Sequence, residues 1–190
     1  IIIFFFNQAI LKYIGEYALV SYTIISYVNT IVVMSMAGIA QGTQPLISYY
    51  YGKNESEKYK KLLKYGMVAA AAGSVAAVLI CYVGAESIVG LFLKESEASL
   101  SVYSVRVLRI FILSFLLAGL NVVLGGYFTS VEKAGFATMI SLTRSLIALV
   151  ISLVFLTAVF GGEAIWWAPL IAESCCLVLS AGLYQWYRKK

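Results

Sequence analysis

Two glutamines about one helical turn apart, Gln41 and Gln44, and a lone carboxylate, Glu173, stand inside runs that are otherwise strongly apolar. Asn7 and Gln8, Asn29 and Asn121 are further amides in such runs. An amide brings two donors and an acceptor with two lone pairs, so neighbouring amides ask for several partners, which water or a polar ligand supplies. In a helix that crosses lipid, these groups are costly unless they face protein or a water-filled cavity. The chemistry they point to is non-covalent: passage of a polar or charged solute through a membrane. Two structural readings compete with it. Ser26, Thr30 and the Gly38/Gly42 pair suit helix packing, because small and hydroxyl residues let helices approach. For Glu173, an ion pair or hydrogen bond that locks the last two helices, with Arg144 as partner, competes with a cation site.

Covalent chemistry finds no support. The chain has no His and no Asp, which removes His-based catalysis and most carboxylate-rich metal sites. Cys81, Cys175 and Cys176 all lie in apolar runs and read as small core residues, with no disulfide or metal site implied. No G-x-x-x-x-G-K-[ST] loop, H-E-x-x-H or G-x-S-x-G motif is present, so an enzyme, or ATP-driven transport through such a loop in this chain, is not expected. An ion gradient is left as the energy source.

The elements that must position these residues are membrane helices. Hydrophobic residues make up 62% of the 190 and charged ones 12%, and mean hydropathy is +0.90; soluble domains have roughly 45–50% apolar content. A helix crossing the hydrocarbon core needs about 20 mostly apolar residues. The sequence predicts an all-α membrane protein, a single six-helix transmembrane bundle over residues 1–190, with spans at about 1–14, 18–50, 61–83, 102–127, 136–160 and 164–186. The first reads as the tail of a cut span, since Ile1 to Phe6 carry neither an initiator Met nor a basic flank; the end, Trp186-Tyr187-Arg188-Lys189-Lys190, reads as a natural terminus at a membrane surface. Residues 84–100, with Glu86, Lys94, Glu95 and Glu97, are too polar to span and are expected to form a loop with a short amphipathic turn.

Charge sets the orientation. Lys53, Lys58, Lys60, Lys61, Lys64, Lys133, Arg144 and the tail cations fall on one side; Lys12, Lys94, Arg106 and Arg109 fall on the other. The positive-inside rule then puts the C-terminus in the cytoplasm of a multi-pass protein of the plasma membrane, with Arg106 and Arg109 snorkelling to the outer interface. The net charge of +5 is read as this topology signal, and no nucleic-acid partner is expected.

At about 100° per residue, Tyr22, Thr23, Ser26, Asn29, Thr30, Gln41, Thr43, Gln44 and Ser48 share an arc of roughly 160° on the second span. The opposite side, Val20, Ile24, Val28 and Ile31, is expected to meet lipid. Pro45 removes one backbone hydrogen bond and is expected to disturb the phase near the inner end.

Four stretches in order resemble one family. Asn7-Gln8-Ala-Ile-Leu-Lys-Tyr-Ile-Gly15-Glu, Gly38-Ile-Ala-Gln-Gly-Thr-Gln-Pro45 running on to Tyr51-Gly52, Gly126-Tyr-Phe-Thr-Ser-Val-Glu-Lys133 with Ser141-Leu-Thr-Arg144, and Ile165 to Glu173 are similar to the second six-helix lobe of multidrug and toxic compound extrusion (MATE) transporters. The resemblance implies one lobe of a twelve-helix fold that exports organic, mostly cationic drugs or toxins in exchange for sodium ions or protons by alternating access. It further implies three partners: the lipid bilayer, small organic substrates and an N-terminal six-helix lobe outside these residues. On that reading Asn7, Asn29, Gln41, Gln44 and Asn121 line the substrate cleft, and Glu173 is an ion site or a structural carboxylate. Branches of the family carry an acid in the lobe's first or fourth helix, where this chain has none, so the coupling ion is expected mainly in the first lobe. A lipid-linked oligosaccharide flippase of the same superfamily, which moves a large polar headgroup, is the alternative; it is expected to need several cations in its central cavity, where the mid-span faces here carry amides and hydroxyls. A half-length assembly partner is a third reading.

Overall fold

The computed structural model describes residues 2–94 and 97–189; Ile1 of the first expected span, Glu95 of the expected exterior loop and Lys190 of the tail lie outside them. Every regular element among the described residues is helical: α1 (Ile2–Tyr13), α2 (Tyr17–Gly52), α3 (Ser56–Val83), a short α4 (Ala85–Gly90), α5 (Ala98–Phe111), α6 (Phe115–Ser130), α7 (Ala134–Leu142), α8 (Ala148–Phe160) and α9 (Ala168–Lys189). A 3-10 turn over Ile112–Ser114 joins α5 to α6 into one rod, and a π turn over Thr143–Ile147 joins α7 to α8. Five rods, Tyr17–Gly52, Ser56–Val83, Ala98–Ser130, Ala134–Phe160 and Gly162–Lys189, are long and apolar enough to cross a membrane.

Local chemistry explains the joints. Ser114 Oγ donates to the Phe111 carbonyl at 2.8 Å, a back-bond of the kind that bends helices. Gly161, at φ +84 and ψ −179, ends α8 in a conformation that a side chain would resist. Pro45 does not break α2, which runs 36 residues, or about 54 Å at 1.5 Å per residue. That exceeds a hydrocarbon core of about 30 Å, so α2 is longer than a straight crossing requires.

The bundle has two apolar cores, one toward each end. The first gathers Phe6, Ile10, Tyr22, Ile25, Met36, Val107, Leu108, Phe115, Leu149, Trp166 and Ala172; the second gathers Ala40, Ile47, Leu63, Val123, Leu124, Tyr127, Phe128, Ile140 and Cys176. Phe6 stacks on Tyr22 with ring centres 4.6 Å apart. At the end of the first core, Trp166 Nε1 donates to the Tyr103 hydroxyl at 3.1 Å, which donates in turn to Glu163 Oε1 at 3.1 Å. Ser21 and Ser104 meet at 2.7 Å in full burial, tying α2 to α5.

Two expectations are corrected by this packing. Ile24 and Val28 are 2% and 8% exposed, so they pack in the core rather than against lipid, while Val20 and Ile31 stay exposed; α2 is flanked by α3, α5 and α6, and a broad strip of it stays uncovered. Gly38 and Gly42 lie in that strip with nothing within 4 Å of a Cβ built on either, so they make no packing seam within this chain. Arg109 Nη2 meets Glu86 Oε1 at 3.2 Å and its guanidinium lies 5.0 Å from the Tyr82 ring centre, binding α5 to the short α4 and the end of α3. Of the cysteines, Cys81 and Cys176 are buried and Cys175 is exposed on α9; all three are free.

Candidate functional site

The chain passes from one core to the other between Met36 and Ala40 on α2, Phe115 and Val123 on α6, Ile140 and Ala148 on α7–α8, and Ala172 and Cys176 on α9. Asn121, Arg144 and Glu173 fall in three of those gaps, and they bind one another. Arg144 Nε donates to Glu173 Oε1 at 2.6 Å, while Asn121 Nδ2 donates to Glu173 Oε2 at 2.7 Å and to the Glu173 carbonyl at 2.9 Å. Ser180 Oγ, buried on α9, donates to the Cys176 carbonyl at 2.8 Å and reaches Asn121 Oδ1 at 3.5 Å. Asn121 is 1% exposed, and the Arg144 and Glu173 side chains are 23% and 12% exposed.

Burying a charge is costly unless it is paired and hydrogen-bonded. Here the carboxylate has one oxygen on the guanidinium and the other on an amide, so the set is closed and nearly neutral. The π turn carries Arg144; such wide turns occur mostly as single insertions in α-helices, often at functional positions.

A cavity of about 660 Å3 opens beside this network, walled by α1, α2, the α5–α6 rod, α7–α8 and α9. Its lining from α2 runs from Tyr22 through Ser26, Asn29 and Val33 to Gln44, a length of about 33 Å at 1.5 Å per residue. It therefore extends along most of a membrane thickness. Phe6, Tyr22 and Phe111 give it aromatic surface, and Ser141 and Ser145 give it hydroxyls. Arg144 and Glu173 are the only charged residues among the lining side chains.

Asn29, Gln44, Asn121 and Glu173, named from the sequence, all line this cavity; Asn7 and Gln41 do not. Asn7 is partly buried on α1, and Gln41 is exposed on the uncovered strip of α2 with Thr23, Thr30, Gly38 and Pro45. Gln44 sits opposite Gly126, where a Cβ would stand 2.7 Å from the Gln44 Nε2, so the glycine makes the room that the amide occupies. Neither Asn29 nor Gln44 has a hydrogen-bond partner among the described residues, which leaves both amides open to a solute. The sequence reading missed the aromatic wall of Phe6 and Phe111 and the α7 residues. Adjacent Gly125 and Gly126 in an apolar helix were the available signal for close approach at that level.

The model of the family described as MatE matches residues 1–154 of the chain. Over 166 residues the chain is 26% identical to the multidrug export protein MepA of Staphylococcus haemolyticus (strain JCSC1435), covering 87% of this chain and 36% of the relative. It thus spans about a third of the length of the curated relatives it matches. Two solved structures of a multidrug resistance MATE family transporter of the MOP superfamily share the fold. The outward-facing conformation superposes with a TM-score of 0.87 at 18% identity over 99% of this chain and 42% of that one; the inward-facing conformation gives 0.87 at 19% over 98% and 42%. With the family model covering most of its residues and the fold matched in full, the chain belongs to the MatE family of membrane transporters, as one lobe of their twelve-helix fold.

Proposed function

We propose that this chain is the second, C-terminal lobe of a plasma-membrane antiporter that exports organic, mostly cationic compounds in exchange for sodium ions or protons. The observation that carries the proposal is the long cavity of about 660 Å3 beside Asn29, Gln44 and the Asn121–Glu173–Arg144 network. A site with aromatic surface, a few convergent polar groups and near-neutral charge suits amphipathic molecules of varied shape. Multidrug export by the relative MepA, named for that activity, supports the same reading.

Alternating access rocks one lobe against the other around a shared site. The equal superposition on the outward- and inward-facing conformations supports a lobe that keeps its internal packing while it moves. The uncovered strip of α2, with Thr23, Thr30, Gln41 and Pro45, then faces the first lobe across the central cleft. Glu173 is held by Arg144 and Asn121, so in this reading it is structural and the coupling ion binds mainly in the first lobe. The tail and the loop between α2 and α3 face the cytoplasm.

The test is transport by the protein carrying both lobes, reconstituted in proteoliposomes with imposed sodium or pH gradients. A fluorescent organic cation should move against its gradient when one of the two is applied and stop when that gradient is collapsed. Movement without dependence on either gradient would contradict antiport. A flippase carrying a lipid-linked oligosaccharide has less support: the one cation lining the cavity, Arg144, is already paired with Glu173.

A further inference from the structure

A second concavity, of about 560 Å3, lies at the bundle end that holds the C-termini of α2, α6 and α9 and the N-termini of α3 and α7. Three cations from three elements converge on it: Lys60 from α3, Lys133 from the turn before α7, and Arg188 from the end of α9. Among the described residues none of the three makes an ion pair. The nearby acids Glu57 and Glu132 do not line it, and Glu55 is paired with Lys58. Three uncompensated charges facing one hollow repel each other, so an anion is the occupant that their arrangement favours.

The hollow's other surface is aromatic. Tyr127, 2% exposed, forms its floor, with Tyr184 edge-on at 5.7 Å between ring centres; Tyr187 is edge-on to both Tyr127 and Phe128, and Lys133 Nζ lies 5.9 Å from its ring. Phe136 and Trp186 stand edge-on at 5.6 Å on the rim. Tyrosine and tryptophan collect where lipid headgroups meet water, and basic pockets between membrane helices bind lipid head groups. At the opposite end Arg109 is paired with Glu86. Position, charge and aromatic lining thus agree on a ligand that is anionic at its head and apolar below it.

We propose that Lys60, Lys133 and Arg188 form a binding site for the phosphate of an anionic phospholipid, seated on the Tyr127/Tyr187 floor with its acyl chains along the outer apolar surface. The site is independent of drug export: it requires the fold and a bilayer, and nothing of the substrate cavity.

The experiment uses the protein carrying both lobes, purified in neutral detergent, with bound lipid counted by native mass spectrometry. Phosphatidylglycerol, phosphatidylcholine and inorganic phosphate are the probes. The unaltered protein should retain phosphatidylglycerol at least fivefold more than phosphatidylcholine, with no displacement by millimolar inorganic phosphate. Lys60→Gln/Lys133→Gln/Arg188→Gln should abolish that preference. Lys53→Gln/Lys61→Gln/Lys64→Gln, which removes equal charge at the same end but outside the hollow, should keep it, as should the charge-conserving Lys60→Arg/Lys133→Arg. Equal loss in both triple variants would overturn the site in favour of general surface attraction, and so would equal retention of the two lipids. Displacement by inorganic phosphate would overturn the lipid assignment and make the site one for a free anion. The charge-conserving pair guards against a folding defect, because its failure alongside the triple Gln variant, with melting unchanged, also overturns the proposal.

Discussion

Arg144 Nε meets Glu173 Oε1 at 2.6 Å, across the junction of the π turn and α9, at the level where the two apolar cores part. The pair is the only cation–carboxylate contact among the described residues with both side chains less than a third exposed. Removing one partner of such a pair leaves an uncompensated charge and costs roughly 3–5 kcal/mol. Arg144→Gln and Glu173→Gln should each lower the melting temperature clearly. The double variant should lose much less than the sum, since it leaves no orphan charge. Additive losses in thermal melts would show the two residues to be uncoupled.

If Glu173 is structural, its neutralisation should leave the ion dependence of transport in place. Glu173→Gln, expressed in the complete protein at a temperature where it folds, is expected to keep the same gradient requirement at reduced yield. Loss of gradient-driven efflux in protein that melts normally would instead make Glu173 a coupling residue.

Gln44 and Gln41 are about one turn apart on α2 and yet differ in surroundings: Gln44 lines the cavity, and Gln41 is exposed on the strip beside it. Gln44→Leu in the complete transporter should lower drug resistance several-fold at unchanged expression, with a smaller effect for Gln41→Leu. Equal resistance in Gln44→Leu and the unaltered protein would return Gln44 to a packing role.

Gly126 gives an independent handle on the same amide. A Cβ there would stand 2.7 Å from Gln44 Nε2, the far end of a flexible side chain, and 3.4 Å from the Ala40 Cβ, so the amide must swing aside while the helices keep their places. Gly126→Ala should therefore lower efflux several-fold with little change in melting temperature. Adding Gln44→Ala should not restore the efflux, since the space returns and the amide does not. Recovery of efflux in the double variant would mean that Gln44 serves only to fill space.

Much of this architecture was legible in the sequence, because apolar run length and lysine-rich turns are local signals. The polar face of α2 was legible as an arc but not as a site. Thr23 and Thr30 share that arc with Ser26 and Asn29, yet the first two are exposed and the last two line the cavity, a distinction set by where α6 and α7 pack. The burial of Ile24 and Val28 was illegible for the same reason: an apolar side chain looks alike to lipid and to a neighbouring helix. Partnership of Glu173 with Arg144 could be anticipated by charge alone, whereas the addition of Asn121 needed the third helix in place. Nothing in the spacing of α7 announces the π turn that carries Arg144.

The central claim is that solute occupies the cavity beside Asn29 and Gln44. It is tested most directly by thiol labelling of Asn29→Cys in the complete transporter, in a background lacking Cys81, Cys175 and Cys176. A small water-soluble thiol reagent should label position 29, and a transported organic cation should slow that labelling at least fivefold, at concentrations near its transport constant. A control at Lys61→Cys, exposed on α3 and outside the cavity lining, should label without protection. Labelling at position 29 that substrate leaves unchanged would contradict the account.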